Sequence, residues 1–183
     1  NACPHNGTVS VKAGTYTESI SISNKSISLI GESAIIQSIG TAISLTNSNG
    51  TITGFKIIGG DNGIYSYNSS PTIINNIITG NGYGIYCYVY EEENENIKTY
   101  PNIDRNIITK NGKGIYCETF RLHDTGSCIF PIITNNLITH NTTGISTLWS
   151  IPNIYNNTII DNNTGLYIEK IEVGYAWVAN NVI

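Results

Sequence analysis

The chain has 183 residues, carries a formal net charge of −4 at pH 7 with charged residues at only 12 %, and is 40 % hydrophobic. That length suits one domain. The hydrophobic share excludes disorder by composition. The acidic balance, with no basic stripe, excludes nucleic acid or an anionic membrane surface as the main partner.

No window approaches the roughly eighteen consecutive apolar residues of a membrane-spanning helix, so no membrane insertion is expected. No signal peptide is visible. The chain opens at Asn1 and contains no Met, the expectation for a mature, processed or excised segment.

In chain order, residues 1–50 read as degenerate coils of a repeat. Val9 and Val11 alternate, and GTYTESISISNKSISLIGE follows from Gly14 to Glu32, with Ile20, Ile22, Ile27 and Leu29 as its apolar positions. Ala42 to Leu45 fills the slot one coil before Gly63. Regular copies run through 51–183. They are TITGFKIIGGDNGIYSY from Thr51, PTIINNIITGNGYGIYCY from Pro71, PNIDRNIITKNGKGIYCE from Pro101, PIITNNLITHNTTGISTL from Pro131 and PNIYNNTIIDNNTGLYIE from Pro152, with a last partial copy WVANNVI.

Subtraction fixes the register. Gly63, Gly84, Gly114, Gly144 and Gly165 lie 21, 30, 30 and 21 residues apart. The coil is therefore 21 residues, and two coils carry insertions near 89–98 and 119–128. Three apolar columns follow: Ile52, Ile73, Ile103, Ile133, Ile154, Val178; Ile57, Ile78, Ile108, Ile138, Ile159, Ile183; and Ile64, Ile85, Ile115, Ile145, Leu166. Their gaps are too short for a crossover helix. The pattern predicts an all-β chain, a single right-handed parallel β-helix of about seven or eight coils with three short strands each. At the inter-strand spacing it would be about 35 Å long.

Asn76, Asn106, Asn136, Asn157 and Asn181 form a column whose amides can hydrogen-bond along the axis. Asn81, Asn111, Asn141 and Asn162 form a second. The column glycines are expected to hold positive φ at the next corner.

INNIITGNGYGIYC resembles the parallel β-helix repeat of the pectin-lyase-like superfamily. VSVKAGTYTESISISNKSISLIGE is similar to the first coils of that superfamily's pectin methylesterases and of its periplasmic copper-site maturation proteins. The resemblance covers nearly the whole chain and implies the fold, while one solenoid hosts many activities. The enzyme members' motifs do not carry over: no QDT or VDFIFG segment, no NTD, DD or GHG segment, and His123-Asp124-Thr125 is the nearest match. A metallochaperone role follows only by analogy, and clustered His, Met and Cys are scarce.

The residues offer several candidate sites. Glu91, Glu92, Glu93 and Glu95 in the first insertion read as a solvated acidic loop, with Ca²⁺ as the alternative. Otherwise no cofactor is expected. Glu118, His123 and Asp124 are the weak acid–base candidates, and Arg121 is placed to pair with the acidic loop. Asp104 and Arg105 break the NN pattern and read as a surface ion pair. His5 and His140 read as exposed.

Tyr65, Tyr86, Tyr116 and Tyr167 form an outward column, with Tyr67 and Tyr88 beside it. Such a stripe binds sugar rings or a second copy, or simply stabilises the sheet. Cys3, Cys87, Cys117 and Cys128 match no zinc or CxxC spacing. Cys87 with Cys117, Cys117 with Cys128, and Cys3 with Cys128 or with another molecule are the disulfide alternatives to buried thiols. Sequons begin at Asn6, Asn24, Asn49, Asn68, Asn141, Asn156 and Asn162.

The even Cys count and the Ser, Thr and Asn content predict an extracellular or cell-surface setting. The expected function is a non-catalytic structural protein that assembles with itself, end to end or through the Tyr stripe. The alternative is a glycan-binding module or an enzyme acting on an acidic polysaccharide.

Overall fold

A computed structural model describes residues 3–90, 96–120, 126–169 and 174–183. The chain is all-β. Its strands stack as three parallel sheets, the walls of a right-handed parallel β-helix. Sheet A holds Thr8–Val11, Ser28–Gly31, Thr51–Thr53, Thr72–Ile74, Asn102–Asp104, Ile132–Thr134, Asn153–Tyr155 and Trp177–Ala179. Sheet B holds Gly14–Tyr16, Ala34–Gln37, Lys56–Ile58, Ile77–Thr79, Ile107–Thr109, Leu137–Thr139 and Thr158–Ile160. Sheet C holds Ile20–Ser23, Thr41–Thr46, Asn62–Tyr67, Tyr83–Tyr90, Lys113–Phe120, Thr143–Leu148 and Thr164–Glu169. No helix among the described residues is long and apolar enough to cross a membrane.

The register is the one that subtraction gives. Ile73 pairs with Ile52 and Ile103, Ile78 with Ile57 and Ile108, and Ile85 with Ile64 and Ile115. Each of these isoleucines is buried. β-Branched side chains hold few rotamers and lose little on packing into a strand. Burying three of them per coil contributes about 1.5–3 kcal/mol apiece.

The corners need more than apolar residues. At most corners of the regular coils one residue adopts positive φ: Asn75, Arg105, Asn135 and Asn156 between sheets A and B; Gly80, Lys110, His140 and Asp161 between B and C; Asn47, Asn68 and Trp149 between C and A. Two asparagine ladders close the first two corners from inside. Asn76 donates its backbone N–H (3.0 Å) and its amide nitrogen (3.1 Å) to Asn106 Oδ1, and the same amide donates to Ile52 O at 2.9 Å. Asn106, Asn136 and Asn157 repeat the pattern. Asn81, Asn111 and Asn141 do the same at the next corner. The buried turn donors find acceptors on the neighbouring coil and on their own.

A serine ladder serves the third corner. Ser48 N–H donates to Ser69 Oγ at 2.9 Å, and Ser69 Oγ donates to Tyr67 O at 2.7 Å. Ser150 fills the slot later, donating to Leu148 O and Cys117 O.

The column glycines have another role than the expected one. Gly63, Gly84, Gly114 and Gly144 are not among the positive-φ residues. A Cβ at Gly114 would meet the Gly144 carbonyl oxygen at 2.5 Å, and a Cβ at Gly84 the Gly114 carbonyl oxygen at 2.5 Å. Close approach between coils, rather than turn conformation, selects glycine here.

The 30-residue coils leave the frame intact. Thr72, Asn102 and Ile132 stay in register although an insertion separates each from the next. The insertions leave between sheets C and A, side by side: Tyr90 pairs with Phe120 on the way out, and Lys98–Thr99 pairs with Cys128–Ile129 on the way back.

Candidate functional site: the tyrosine face of sheet C

Sheet C is at its longest in Tyr83–Tyr90 and Lys113–Phe120. Their outer face gathers aromatic rings over three coils. Ring centroids of Tyr65 and Tyr86 lie 5.3 Å apart, those of Tyr86 and Tyr116 5.1 Å, and those of Tyr67 and Tyr88 5.9 Å. Tyr83 stacks on both Tyr86 (5.1 Å) and Tyr116 (5.7 Å). Lys113 Nζ sits 3.6 Å from the Tyr116 ring centre, a cation–π contact. Glu118 lies among the phenols and accepts a 2.8 Å hydrogen bond from Tyr86 Oη.

The electrostatics follow from this crowding. Burial, then the neighbouring Tyr88 and Tyr67 phenols and Glu118, push the Tyr65 phenol up to about 12. Burial and the hydrogen bond to Glu118 raise Tyr86 well above the usual phenol range. Burial and the Glu118 carboxylate do the same to Tyr116.

The column differs from the expected stripe. Ser146 stands between Tyr116 and Tyr167, so Tyr167 belongs to a separate patch, 50 % exposed and bonded to Glu169 at 2.9 Å. Tyr116 is only 9 % exposed. The rings pack against one another, Tyr65 meeting Tyr86 edge to face and Tyr83 stacking on Tyr86.

Sequence reasoning missed Tyr83 because period 2 puts residues 83 and 86 on opposite faces. Gly84 drops out of the pairing between Tyr83↔Lys113 and Ile85↔Ile115, and this extra residue returns Tyr83 to the outer face. It also missed two ring pairs at the roots of the insertions, Tyr90–Phe120 (5.6 Å) and Tyr100–Phe130 (5.1 Å), both stacked.

The other candidates fall as follows. Glu118 is engaged by the tyrosines. Its suggested partners His123 and Asp124 lie outside the described residues, as do Arg121 and Glu91, Glu92, Glu93 and Glu95. Asp104 pairs with Arg105 Nε at 3.1 Å and accepts from Thr134 Oγ1 and Asn135 Nδ2.

No disulfide joins Cys3, Cys87, Cys117 or Cys128. Cys87 and Cys117 face each other inside the core. Cys3 precedes the first strand of sheet A and Cys128 the sixth, five strand steps or about 24 Å along the axis. That exceeds the reach of a disulfide. Among the sequons, Asn6, Asn24, Asn49 and Asn156 are exposed and Asn68 is half-buried. Asn141 is buried within a ladder, and the Asn162 amide is tied to Ile138 O and Ile160 O, so neither presents a free amide for glycosylation.

The family model described as periplasmic copper-binding protein (NosD) matches residues 5–183. The chain belongs to the NosD family. NosD proteins are parallel β-helix members of the pectin-lyase-like superfamily, described as periplasmic and so outside the cytoplasm. No curated protein matches the chain, and neither does any solved structure.

The family description brings in copper, which the residues alone did not imply. Among the described residues, no three of His, Cys, Asp and Glu gather in one place. His5 accepts from Ser26 N–H in the first coils, while His140 bonds Thr139 several coils away. A divalent copper ion wants several N and O donors in a tetragonal set, and the described residues do not fit one. The soft donors that the register does bring together are Cys87 and Cys117.

Proposed function

We propose that this chain is a non-catalytic, extracytoplasmic structural β-helix, stiffened on one face by its tyrosines and associating with further copies through the separate Tyr167 patch of the same sheet. The observation that carries the reading is the Tyr65–Tyr86–Tyr116 cluster. Its ring faces are occupied by one another and by Lys113, and its carboxylate by Tyr86. Such a ladder couples neighbouring coils without offering a free acid or base. The family's periplasmic description supports the location. The Tyr167 patch supplies an exposed contact for a second copy. Light scattering over a concentration series tests assembly: mass should rise with concentration, and Tyr167→Ser should lower it. A monomer at every concentration removes assembly, and turnover of a uronate polymer removes the non-catalytic reading.

A second reading, a glycan-binding module, draws support from the insertion roots. Phe120 and Tyr100 are 43 % and 53 % exposed, and each stacks on a ring of an adjacent coil. Open ring faces of this kind accept sugar rings. Affinity electrophoresis in acidic polysaccharides decides it: retardation that Tyr100→Ala abolishes supports the module, and unchanged mobility rejects it.

A further inference from the structure

Tyr86 is the hub of the tyrosine face. Its ring meets Tyr83 and Tyr116 at centroid distances of 5.1 Å, Tyr65 at 5.3 Å and Tyr88 at 5.9 Å. Its phenol donates to Glu118 Oε2 at 2.8 Å in a part-buried setting. Stabilisation of the sheet accounts for the rings. It does not account for the carboxylate. The slot that Glu118 fills holds Tyr67 and Tyr88 in the coils before it and Leu148 in the coil after it. Packing at that slot is therefore met by an aromatic or aliphatic side chain, whereas a carboxylate among phenols gives up hydration. What Glu118 adds is a base in direct contact with the Tyr86 proton.

That proton is held firmly while the phenol is intact, since burial and the bond to Glu118 raise Tyr86 well above the usual phenol range. Removing one electron reverses the balance. An oxidised phenol is a strong acid, and the carboxylate is already in place to receive its proton. A second contact singles out Tyr86 among its neighbours. Lys113 Nζ lies 3.6 Å from the Tyr116 ring centre and 5.7 Å from that of Tyr83, and a cation over a ring opposes loss of an electron from it. The surrounding rings also shelter an unpaired electron on Tyr86 from a second chain. We infer that Tyr86, with Glu118 as its proton acceptor, is a site of one-electron oxidation, its co-reactant an outer-sphere oxidant such as an oxygen-centred radical. Tyr86 gives one electron to the oxidant, its O–H bond breaks, and an O–H bond forms on Glu118. Glu118 then releases the proton to solvent, from which a reduced oxygen radical takes one, so the net transfer is one hydrogen atom. A neutral tyrosyl radical remains on Tyr86. The step consumes one oxidant per chain. It goes beyond the structural reading and does not depend on assembly.

The test is flash photolysis of the full chain with a ruthenium(II) tris-bipyridine sensitiser and a cobalt(III) ammine electron acceptor. The Ru(III) so formed is the one-electron oxidant, and tyrosyl absorbance with freeze-quench electron paramagnetic resonance follows the product. A long-lived tyrosyl signal should remain after radicals on exposed rings have coupled between chains. Its rate of formation should be flat from neutral pH up to the ordinary phenol range. Tyr86→Phe should remove it. Glu118→Gln keeps a hydrogen-bond acceptor but no base, so it should slow formation by about 10-fold or more and make the rate rise with pH as solvent base takes over. Tyr167→Phe is the control. That phenol also bonds a carboxylate, Glu169 at 2.9 Å, but it is 50 % exposed, so its loss should leave the long-lived signal in place. No long-lived signal, a signal that survives Tyr86→Phe, or equal rates in wild type and Glu118→Gln overturns the site. Should either substitution disturb the fold, the unsubstituted chain decides: slower formation in heavy water with a flat pH profile supports the site, and equal rates in light and heavy water overturn it.

Discussion

Asn106 Oδ1 accepts two hydrogen bonds from Asn76, one from its backbone N–H and one from its side-chain amide, across a 30-residue step of sequence. Removing that oxygen strands the buried Asn76 N–H, while the Asn76 amide keeps its bonds to Ile52 O and Ile74 O. Asn106→Ala should therefore cost about 1–3 kcal/mol, the penalty of one unsatisfied buried donor. Asn181→Ala, on the last rung, should cost less. Denaturant midpoints of the two variants check this, and equal small losses would remove the ladder as a source of stability.

Gly114→Ala should destabilise by about 2 kcal/mol, because the new methyl meets a backbone carbonyl that cannot move aside. Gly40→Ala is the control: a Cβ there meets nothing within 4 Å, and its midpoint should stay near that of the parent chain.

Arg105 occupies a positive-φ corner position that Asn75, Asn135 and Asn156 fill in other coils. Asparagine tolerates that conformation better than arginine. The ion pair that Arg105 makes with Asp104 is largely exposed on the arginine side and contributes about 0–1 kcal/mol. Arg105→Asn should thus be neutral or slightly stabilising in thermal unfolding. Asp104→Ala, which also strands the Thr134 and Asn135 donors, should lose about 1 kcal/mol. A larger loss from Arg105→Asn would contradict this.

Alkaline pH should unfold the tyrosine face. Tyr65 is held at about 12, against an ordinary phenol near 10, so its neutral form is favoured in the fold. Its contribution to stability is complete below about pH 10 and is lost as pH rises through about 12. Tyr86 and Tyr116 push in the same direction. Tyrosinate absorbance of the native chain should lag behind that of the urea-unfolded chain, with loss of circular dichroism above pH 12. Full ionisation near pH 10 with the fold intact would show that the cluster is open to water.

The columns Ile73–Ile103–Ile133 and Asn76–Asn106–Asn136 were legible because a solenoid writes its contacts at a fixed sequence interval. What failed was what the fixed interval does not carry: close backbone approach and departures at single slots. The glycine column was read as a turn because its true constraint is a carbonyl on the next coil. The serine ladder was missed because Ser48, Ser69 and Ser150 recur irregularly across the insertions. The tyrosine column read as continuous because the repeat of Gly144–Leu148 looks like its neighbours until Ser146 is placed between Tyr116 and Tyr167. The repeat interval puts Ser66 and Thr147 in the inward slot of Cys87 and Cys117, but that their hydroxyls find no partner there is visible only in three dimensions.

The corner between sheets C and A accepts about nine extra residues while Thr72, Asn102 and Ile132 keep their pairing. Length at that corner is thus decoupled from the frame that bears it. Neighbouring loops can drift, lengthen or be exchanged independently, and the spindle beneath them need not be redesigned. Foreign segments grafted after Tyr90 or Phe120 would emerge in parallel, one strand step apart, on a support that does not yield.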